Sequence, residues 1–239
     1  MSTVSIVIPC FHNEAQLAQT VAGIVETTRP LDVSGVDFQI VLVDDGSKDS
    51  TWQVIRTLPK ECAIPVVGLR LGRNFGAYRA IVPGLEAATG DAVIVMAADG
   101  DDPPRLIPLL VQHWQEGHVL VQAVRTSEAR LLSDRVFGGA FYTLLRMLGL
   151  RNIPKNGSDF MLADRSVLNR ALKRGFRPGN TLIQLYQHSD SAFQIPYTKG
   201  KRPGSSWSTM KKTTLFLNSA LTALGLSRTL ERIIPAEVI

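Results

Sequence analysis

Asp99, Asp101 and Asp102 crowd together inside the stretch Val93–Pro104, VIVMAADGDDPP. An apolar, strand-like run stops against them, and Pro103-Pro104 follows. Carboxylates bunched where a buried strand ends repel one another, which makes them a poor structural device. They suit a hard divalent cation, which takes carboxylate and water oxygens, so Asp99 and Asp101 are the candidate metal ligands. For Asp102 the plainer alternative is capping of the helix that the prolines open. The location is apt, because open α/β sheets bind ligands outside the carboxyl ends of their strands.

A second acidic pair, Asp44-Asp45, closes the apolar run Phe38–Val43. A carboxylate there accepts hydrogen bonds from a base N–H or a ribose hydroxyl. Alternatively the pair opens a turn with Gly46 and caps the next helix. Neighbouring strands lie about 4.8 Å apart, so the two acidic tips share one crevice if their strands are close. A magnesium-like ion held by one or two carboxylates completes its shell with substrate phosphates and neutralises a departing diphosphate as a Lewis acid. Arg73, Arg125 and Arg202 are candidate phosphate forks. Asp159 follows Gly157-Ser158 and reads equally as an acceptor-orienting group or base and as a simple turn residue. His12, His113, His118 and His188 form no recognisable metal set, and His12 falls near the expected crevice. No G-x-G-x-x-G follows the first strand, and neither a P-loop nor a serine nucleophile elbow occurs.

The elements that must position these residues alternate. Val4–Ile8, Phe38–Val43, Ile64–Leu69, Ala92–Met96 and Val119–Ala123 predict buried strands, with Pro9 ending the first. Between them come helices: one with a capping box of Asn13 and Gln16 and an apolar face of Leu17, Val21, Ile24 and Val25, then Asp49–Leu58, Ala77–Ala88 and a fourth from Pro104 to Glu116. Apolar strands of this kind are covered on both faces, which predicts a doubly wound, mostly parallel α/β sheet. The second half is less regular. It predicts a helix over Arg130–Leu148, a strand at Asp159–Leu162, a helix over Asp164–Arg174, a strand at Phe193–Ile195, a basic loop Lys199–Ser205, an amphipathic helix Ser208–Leu226 and a short helix Arg228–Ile233.

A length of 239 residues with 45% hydrophobic content fits one large domain or one domain with an appendage. The formal charge of +5 is unevenly spread. After Asp190 the acids are Glu231 and Glu237, against Lys199, Lys201, Arg202, Lys211, Lys212, Arg228 and Arg232. Such an end favours an anionic partner over a merely solvated face, but without interleaved aromatics it does not point to nucleic acid. Cys10 and Cys62 lack metal-ligand spacing and read as buried thiols in a reducing compartment. The N-terminus lacks the basic region of a signal peptide, and no apolar run reaches membrane-spanning length.

In order, the chain carries VSIVIPCFHNE, VLVDDGSKDST, LRLGRNFGAYRAIVPGLEAATGD, VIVMAADGDDPP, FYTLLRML, NGSDFMLADRSVL and KRPGSSWSTMKK. In these motifs and their spacing the chain resembles the inverting glycosyltransferase family 2, specifically the polyprenyl-phosphate sugar transferases. The resemblance implies a nucleotide-diphospho-sugar transferase (GT-A-like) fold over 1–205, with a nucleotide-sugar half at 1–103, an acceptor half at 104–205, and an amphipathic helical C-terminal extension at 206–239. It implies nucleotide-side contacts from Pro9, Glu14, Asp44, Asp45, Arg73 and Gly76. It matches Asp99 to the second aspartate of the family's Asp-Ala-Asp metal motif, Asp159 to the acceptor-side acidic residue and Arg202 to a basic residue meeting donor diphosphate or lipid phosphate. Trp207, Lys211 and Lys212 match the juxtamembrane end of the catalytic domain. The chain departs from the pattern in three places. Ala97 stands where the first motif aspartate is expected, with Gly100-Asp101 replacing Leu-Gln, so Asp101 is the candidate substitute carboxylate. Asn180–Ser189 contains no arginine, and no hydrophobic hairpin follows Lys212.

The activity implied is a single inverting displacement that moves a sugar from a UDP-, GDP- or dTDP-sugar to a polyprenyl phosphate, with Mg²⁺ or Mn²⁺ as cofactor. A hydroxyl acceptor on a soluble molecule or cell-surface glycan is the alternative, and a catalytically silent family member, motivated by Ala97, is a third. The expected location is cytoplasmic, peripheral on the inner face of the cytoplasmic membrane, against an anionic lipid surface. Self-association is left open.

Overall fold

Ile6, Val7 and Ile8 are wholly buried, but they do not share a core. Ile6 and Ile8 pack with Leu17, Ile24, Ile40, Leu42, Ile55 and Leu110, whereas Val7 packs with Val41, Val43, Ile81, Leu85 and Leu168. Successive side chains of a strand point to opposite faces, so an unbroken apolar run requires cover on both. The computed structural model in which this is seen describes residues 1–32, 35–126, 143, 159–177, 180–198, 221 and 233–239.

The first half alternates as expected. It runs through β1 Ser2–Cys10, α1 Leu17–Asp32, β2 Val36–Asp44, α2 Thr51–Glu61, β3 Val66–Arg70, α3 Ala77–Ala87, β4 Ala92–Val95, a 3₁₀ turn at Pro104–Leu106 and α4 Ile107–Gln115. Next come β5 Leu120–Arg125, β6 Phe160–Asp164, α5 Arg165–Arg174, α6 Thr181–Gln187, β7 Phe193–Tyr197 and β8 Glu237–Val238. The sheet order is β7-β5-β6-β4-β1-β2-β3-β8. The β3-β2-β1-β4 block is parallel, β5 and β7 are parallel to each other, and β6 and β8 run antiparallel to their neighbours.

Pro9 does not end β1, because it pairs with Val43. The reason lies in which neighbour each residue faces. The Val7 carbonyl accepts from Met96 on the β4 side and the Cys10 carbonyl from Asp45 on the β2 side, so alternation turns Pro9 toward β4. By then β4 has stopped at Val95, and the missing proline N–H costs no ladder bond.

Three other expectations change. Asn13 does not form a capping box with Gln16, because its side-chain oxygen accepts from the Phe11 N–H at 2.8 Å. Helix α6 has no counterpart in the sequence reading. Thr181–Tyr186 are all buried, so the helix shows no amphipathic period, although Asn180 caps it through the Leu182 and Ile183 amides. The helical extension expected over 206–239 does not continue to its end. Residues 233–235 are coil and β8 lies on the β3 edge, with paired Gly68–Ile239 backbone bonds of 2.9 Å. Gly68 admits this strand, since a Cβ there would lie 2.7 Å from Ile239 and from Ile55. The helices expected over Arg130–Leu148 and Ser208–Leu226, and the basic loop, lie outside the described residues apart from Thr143 and Leu221.

Candidate functional site

Register brings the carboxyl ends of four strands to one rim. Cys10 of β1 pairs with Asp44 of β2, which pairs with Arg70 of β3. On the other side Val7 pairs with Val95, so the loop carrying Asp99 leaves β4 at the same level. The acidic tips are therefore not adjacent. β1 stands between them, about 10 Å from one tip to the other at two strand spacings. The chain switches direction between β1 and β4, where open α/β sheets receive ligands.

On the β2 side the carboxylates organise loops. Asp44 is fully buried; its Oδ1 accepts the Ser47 N–H at 3.0 Å. Its Oδ2 lies 3.5 Å from Arg70 Nε but has no hydrogen-bond partner. Asp45 accepts the Phe75 N–H at 2.7 Å and the Gly76 N–H at 2.8 Å, one on each oxygen. Burial pushes the Asp45 carboxyl above its ordinary 3.8, against the opposing pull of those two amides; nearby Asp44 adds to the rise and Arg79 opposes it. Thus Asp45 clamps the β3–α3 loop to the end of β2. Gly46 makes the clamp fit. Its φ is +69°, and a Cβ would stand 2.5 Å from the Arg73 carbonyl carbon.

The β1 loop joins the same cluster. The Glu14 carboxylate accepts the Ser50 N–H at 2.7 Å, Ser47 Oγ accepts the His12 N–H at 3.1 Å, and Thr51 Oγ1 accepts the Asn13 N–H at 2.8 Å. His12 holds a left-handed φ of 56° and stacks on Phe11 with ring centroids 4.0 Å apart. Between these loops opens a cavity of about 650 Å³, bounded by His12, Gly46, Lys48, Arg70, Arg73 and Glu237. Pro9 sits partly buried at the β1 end, and Gly76 starts α3 at φ 89°. Arg73 is exposed, its guanidinium 4.9 Å from the Phe75 ring centre.

On the β4 side the three aspartates separate. Asp99 is exposed and its Oδ1 accepts the Asp101 N–H at 2.9 Å; Asp101 is half-buried beside it. Asp102 is 1% exposed and caps nothing, contrary to the capping alternative. Its Oδ2 accepts the Ala97 N–H at 2.9 Å and its Oδ1 takes Arg125 Nη2 at 3.1 Å and the Tyr197 hydroxyl at 3.4 Å. Burial raises the Asp102 carboxyl above its ordinary 3.8 despite the Ala97 amide and Arg125, and burial beside Asp102 pushes the Tyr197 hydroxyl up to about 12. Arg125, expected as a phosphate fork, is instead committed to Asp102 and to Tyr197, whose oxygen accepts from Nε at 2.9 Å. Asp102 and Tyr197 were missed as organisers of the loop, because their meeting depends on the pairing of β5 with β7.

Asp159 precedes β6. Met161 pairs with Val95, so the antiparallel register carries Asp159 to the level of Ala97, on the rim shared with Asp99. Tyr78 of α3 donates its hydroxyl to Asp159 at 3.2 Å. Arg202, Trp207, Lys211 and Lys212 lie outside the described residues. Arg79 was not anticipated. Its buried Nε has no hydrogen-bond partner, and its guanidinium lies 5.2 Å from the Phe75 ring centre. Cys10 is buried, and burial with neighbouring Asp44 drives its thiol far above the ordinary range. Cys62 is only partly buried.

A parallel block switching direction between β1 and β4, with acidic loops on that rim, belongs here to the nucleotide-diphospho-sugar transferase (GT-A) fold, as the solved glycosyltransferases it superposes on show. The chain belongs to glycosyl transferase family 2, whose description matches residues 5–172. It is 38% identical over 167 residues to an uncharacterized glycosyltransferase of Synechocystis, covering 69% of this chain and 51% of that protein. It is 34% identical over 169 residues to a prophage bactoprenol glucosyl transferase homolog of Escherichia coli, covering 69% and 53%. Against an undecaprenyl-phosphate 4-deoxy-4-formamido-L-arabinose transferase of Shewanella sediminis the figure is 39% over 122 residues, covering 51% and 36%. The chain thus spans about half the length, or less, of these relatives. A mannosyltransferase from Pyrobaculum calidifontis, solved with GDP-mannose and Mn²⁺, superposes with a TM-score of 0.65 at 16% identity, covering 95% of this chain and 65% of that one. Glucosyl-3-phosphoglycerate synthase from Mycobacterium tuberculosis does so with a TM-score of 0.60 at 20% identity, covering 94% and 81%. At such identities these likenesses speak for the fold.

Proposed function

We propose that the chain moves a sugar from a nucleoside diphosphate onto a polyprenyl phosphate in one inverting displacement. The observation that carries the donor half is Asp44: a fully buried carboxylate on the rim whose Oδ2 lacks a hydrogen-bond partner. Arg70 Nε is the charge nearest that oxygen, at 3.5 Å, and a donor N–H or hydroxyl of a bound nucleoside would supply the hydrogen bond it lacks. Asp45 holds the β3–α3 loop in place, and Arg73 on that loop meets the diphosphate. Pro9, Glu14 and Gly76 shape the surrounding walls.

Asp99 and Asp101 suit a hard divalent ion by residue type and place, both lying on the loop after β4, where the Asp101 N–H donates to the Asp99 carboxylate. Mg²⁺ or Mn²⁺, if bound by Asp99 and Asp101, would supply Lewis-acid neutralisation of the leaving diphosphate. The acceptor phosphate oxygen forms the new bond to the anomeric carbon from the opposite face. The old carbon–oxygen bond breaks, and its electron pair leaves with the nucleoside diphosphate. A lipid phosphate is already anionic at neutral pH, so this acceptor needs no general base to remove a proton. Arg202 meets the same phosphate. The acceptor class rests on the names of the relatives from Escherichia coli and Shewanella.

The test is incubation of the protein with labelled UDP-, GDP- and dTDP-sugars and short polyprenyl phosphates. Label passing to the organic phase with stoichiometric release of nucleoside diphosphate is expected. Label passing only to soluble glycans moves the activity to a hydroxyl acceptor, with Asp159 as general base. No donor binding with either metal leaves the silent reading, which Ala97 favours. Asp101→Ala is expected to abolish metal-dependent donor binding; unchanged metal affinity rejects its part.

A further inference from the structure

His113, Glu116 and His118 meet at the rim opposite the crevice, where α4 ends and β5 begins. β5 runs in the same sense as β4, because both are antiparallel to β6, so the residues before Leu120 lie at the amino ends of the strands. The backbone dictates the meeting. The His118 N–H donates to the His113 carbonyl at 3.2 Å and the Gly117 N–H to the Trp114 carbonyl at 2.9 Å, while Gly117 holds φ +99°. This is a Schellman helix end, which sets the residue after the glycine against the residue one turn back, usually as an apolar contact. Here both positions are histidine. Glu116 joins them, with Oε2 2.7 Å from His113 Nδ1, while Gln112 Nε2 donates to its other oxygen at 3.0 Å. Phe193 of β7 lies against both imidazoles, with ring centroids 4.0 Å from His113 and 4.5 Å from His118.

One donor atom from each of the three residues lies within 4.8 Å of the others. Metal–ligand lengths of 2.0–2.1 Å place tetrahedral ligands roughly 3.3 Å apart, so the donor atoms need to close by at most about 1.5 Å to seat an ion. Two imidazoles and one carboxylate select zinc-class ions over magnesium.

We infer that His113, Glu116 and His118 form a surface site for Zn²⁺ and similar transition ions, separate from the donor crevice. Three protein ligands leave a coordination position for water or an exogenous group. The ion pins the end of α4 to the start of β5 and is not a participant in the sugar transfer proposed above.

The test titrates the chelator-treated full chain with Zn²⁺ by calorimetry and with Co²⁺ by visible absorption. The expected result is one site giving a tetrahedral Co²⁺ spectrum. His118→Ala and Glu116→Gln should each weaken Zn²⁺ at least about tenfold, since changing even an outer partner of a metal site costs that much. His113→Ala with His118→Ala should abolish the Co²⁺ spectrum. Thermal unfolding of each variant without metal checks that it folds, and added Zn²⁺ should raise Tm most in the parent, less in the single variants and not in the double variant. Failure of the parent to bind Zn²⁺ and Co²⁺, or equal binding by the folded double variant, overturns the assignment.

Discussion

At the scale of single residues, the aspartates after β4 divide labour that their proximity conceals. Asp99 stays exposed and Asp101 half-buried, while Asp102 turns inward to the Ala97 amide and Arg125. Asp102→Ala orphans buried donors and should cost about 2 kcal/mol, within the range for a buried group that loses its partner. Chemical denaturation checks this, and a variant as stable as its parent removes Asp102 from that role. The pH dependence follows from the same burial. The folded Asp102 pKa lies above the ordinary 3.8, so the native state binds more protons than the unfolded chain in the window that opens there. The parent's stability advantage over Asp102→Ala is therefore largest on the acid side and shrinks as pH rises from 3.8 through the folded pKa. An advantage that grows with pH contradicts this sign.

At the scale of elements, two glycines set how closely pieces approach. Gly84 lies inside α3, where alanine is preferred by about 1 kcal/mol. A Cβ there would meet Val7 at 2.5 Å and Val43 at 2.9 Å. Overpacking costs typically 1–3 kcal/mol, so Gly84→Ala should come out neutral to about 2 kcal/mol destabilised, despite its helix preference. A clear rise in Tm would show that the helix relaxes away from the sheet. Gly46→Ala differs because its obstruction is backbone and its φ is left-handed. It should lose about 1–3 kcal/mol and also donor affinity, because the β2 and β3 loops separate. Calorimetry with a nucleoside diphosphate reads the second effect, and full affinity in the variant would detach Gly46 from the site.

At the scale of the whole molecule, the donor crevice and the basic stretch from Lys199 to Lys212 belong to different parts of the chain. Among the described residues no helix is long and apolar enough to cross a membrane. A polyprenyl phosphate acceptor nevertheless calls for contact with a bilayer. Basic residues near an anionic surface contribute about 1 kcal/mol each, and they are screened by salt. The protein should float with liposomes containing anionic lipid at low salt and leave them as ionic strength rises. Absence from the lipid fraction at low salt counts against surface binding.

The sequence by itself determined the first-half alternation, the doubly buried strands and the acidic loop ends, because uninterrupted apolar runs and Asp-Gly turns are local signals. It also supplied Asp44, Asp45 and Asp99 as candidates. Tertiary structure alone decided that β1 separates the acidic tips and that β6 enters antiparallel between β4 and β5, bringing Asp159 level with Ala97. It decided that Arg125 serves Asp102, that α6 exists without an amphipathic period, and that Glu237–Val238 pair with the β3 edge. Each of these turns on strand order, register or burial. Those quantities couple residues far apart in the chain, and no local pattern encodes them.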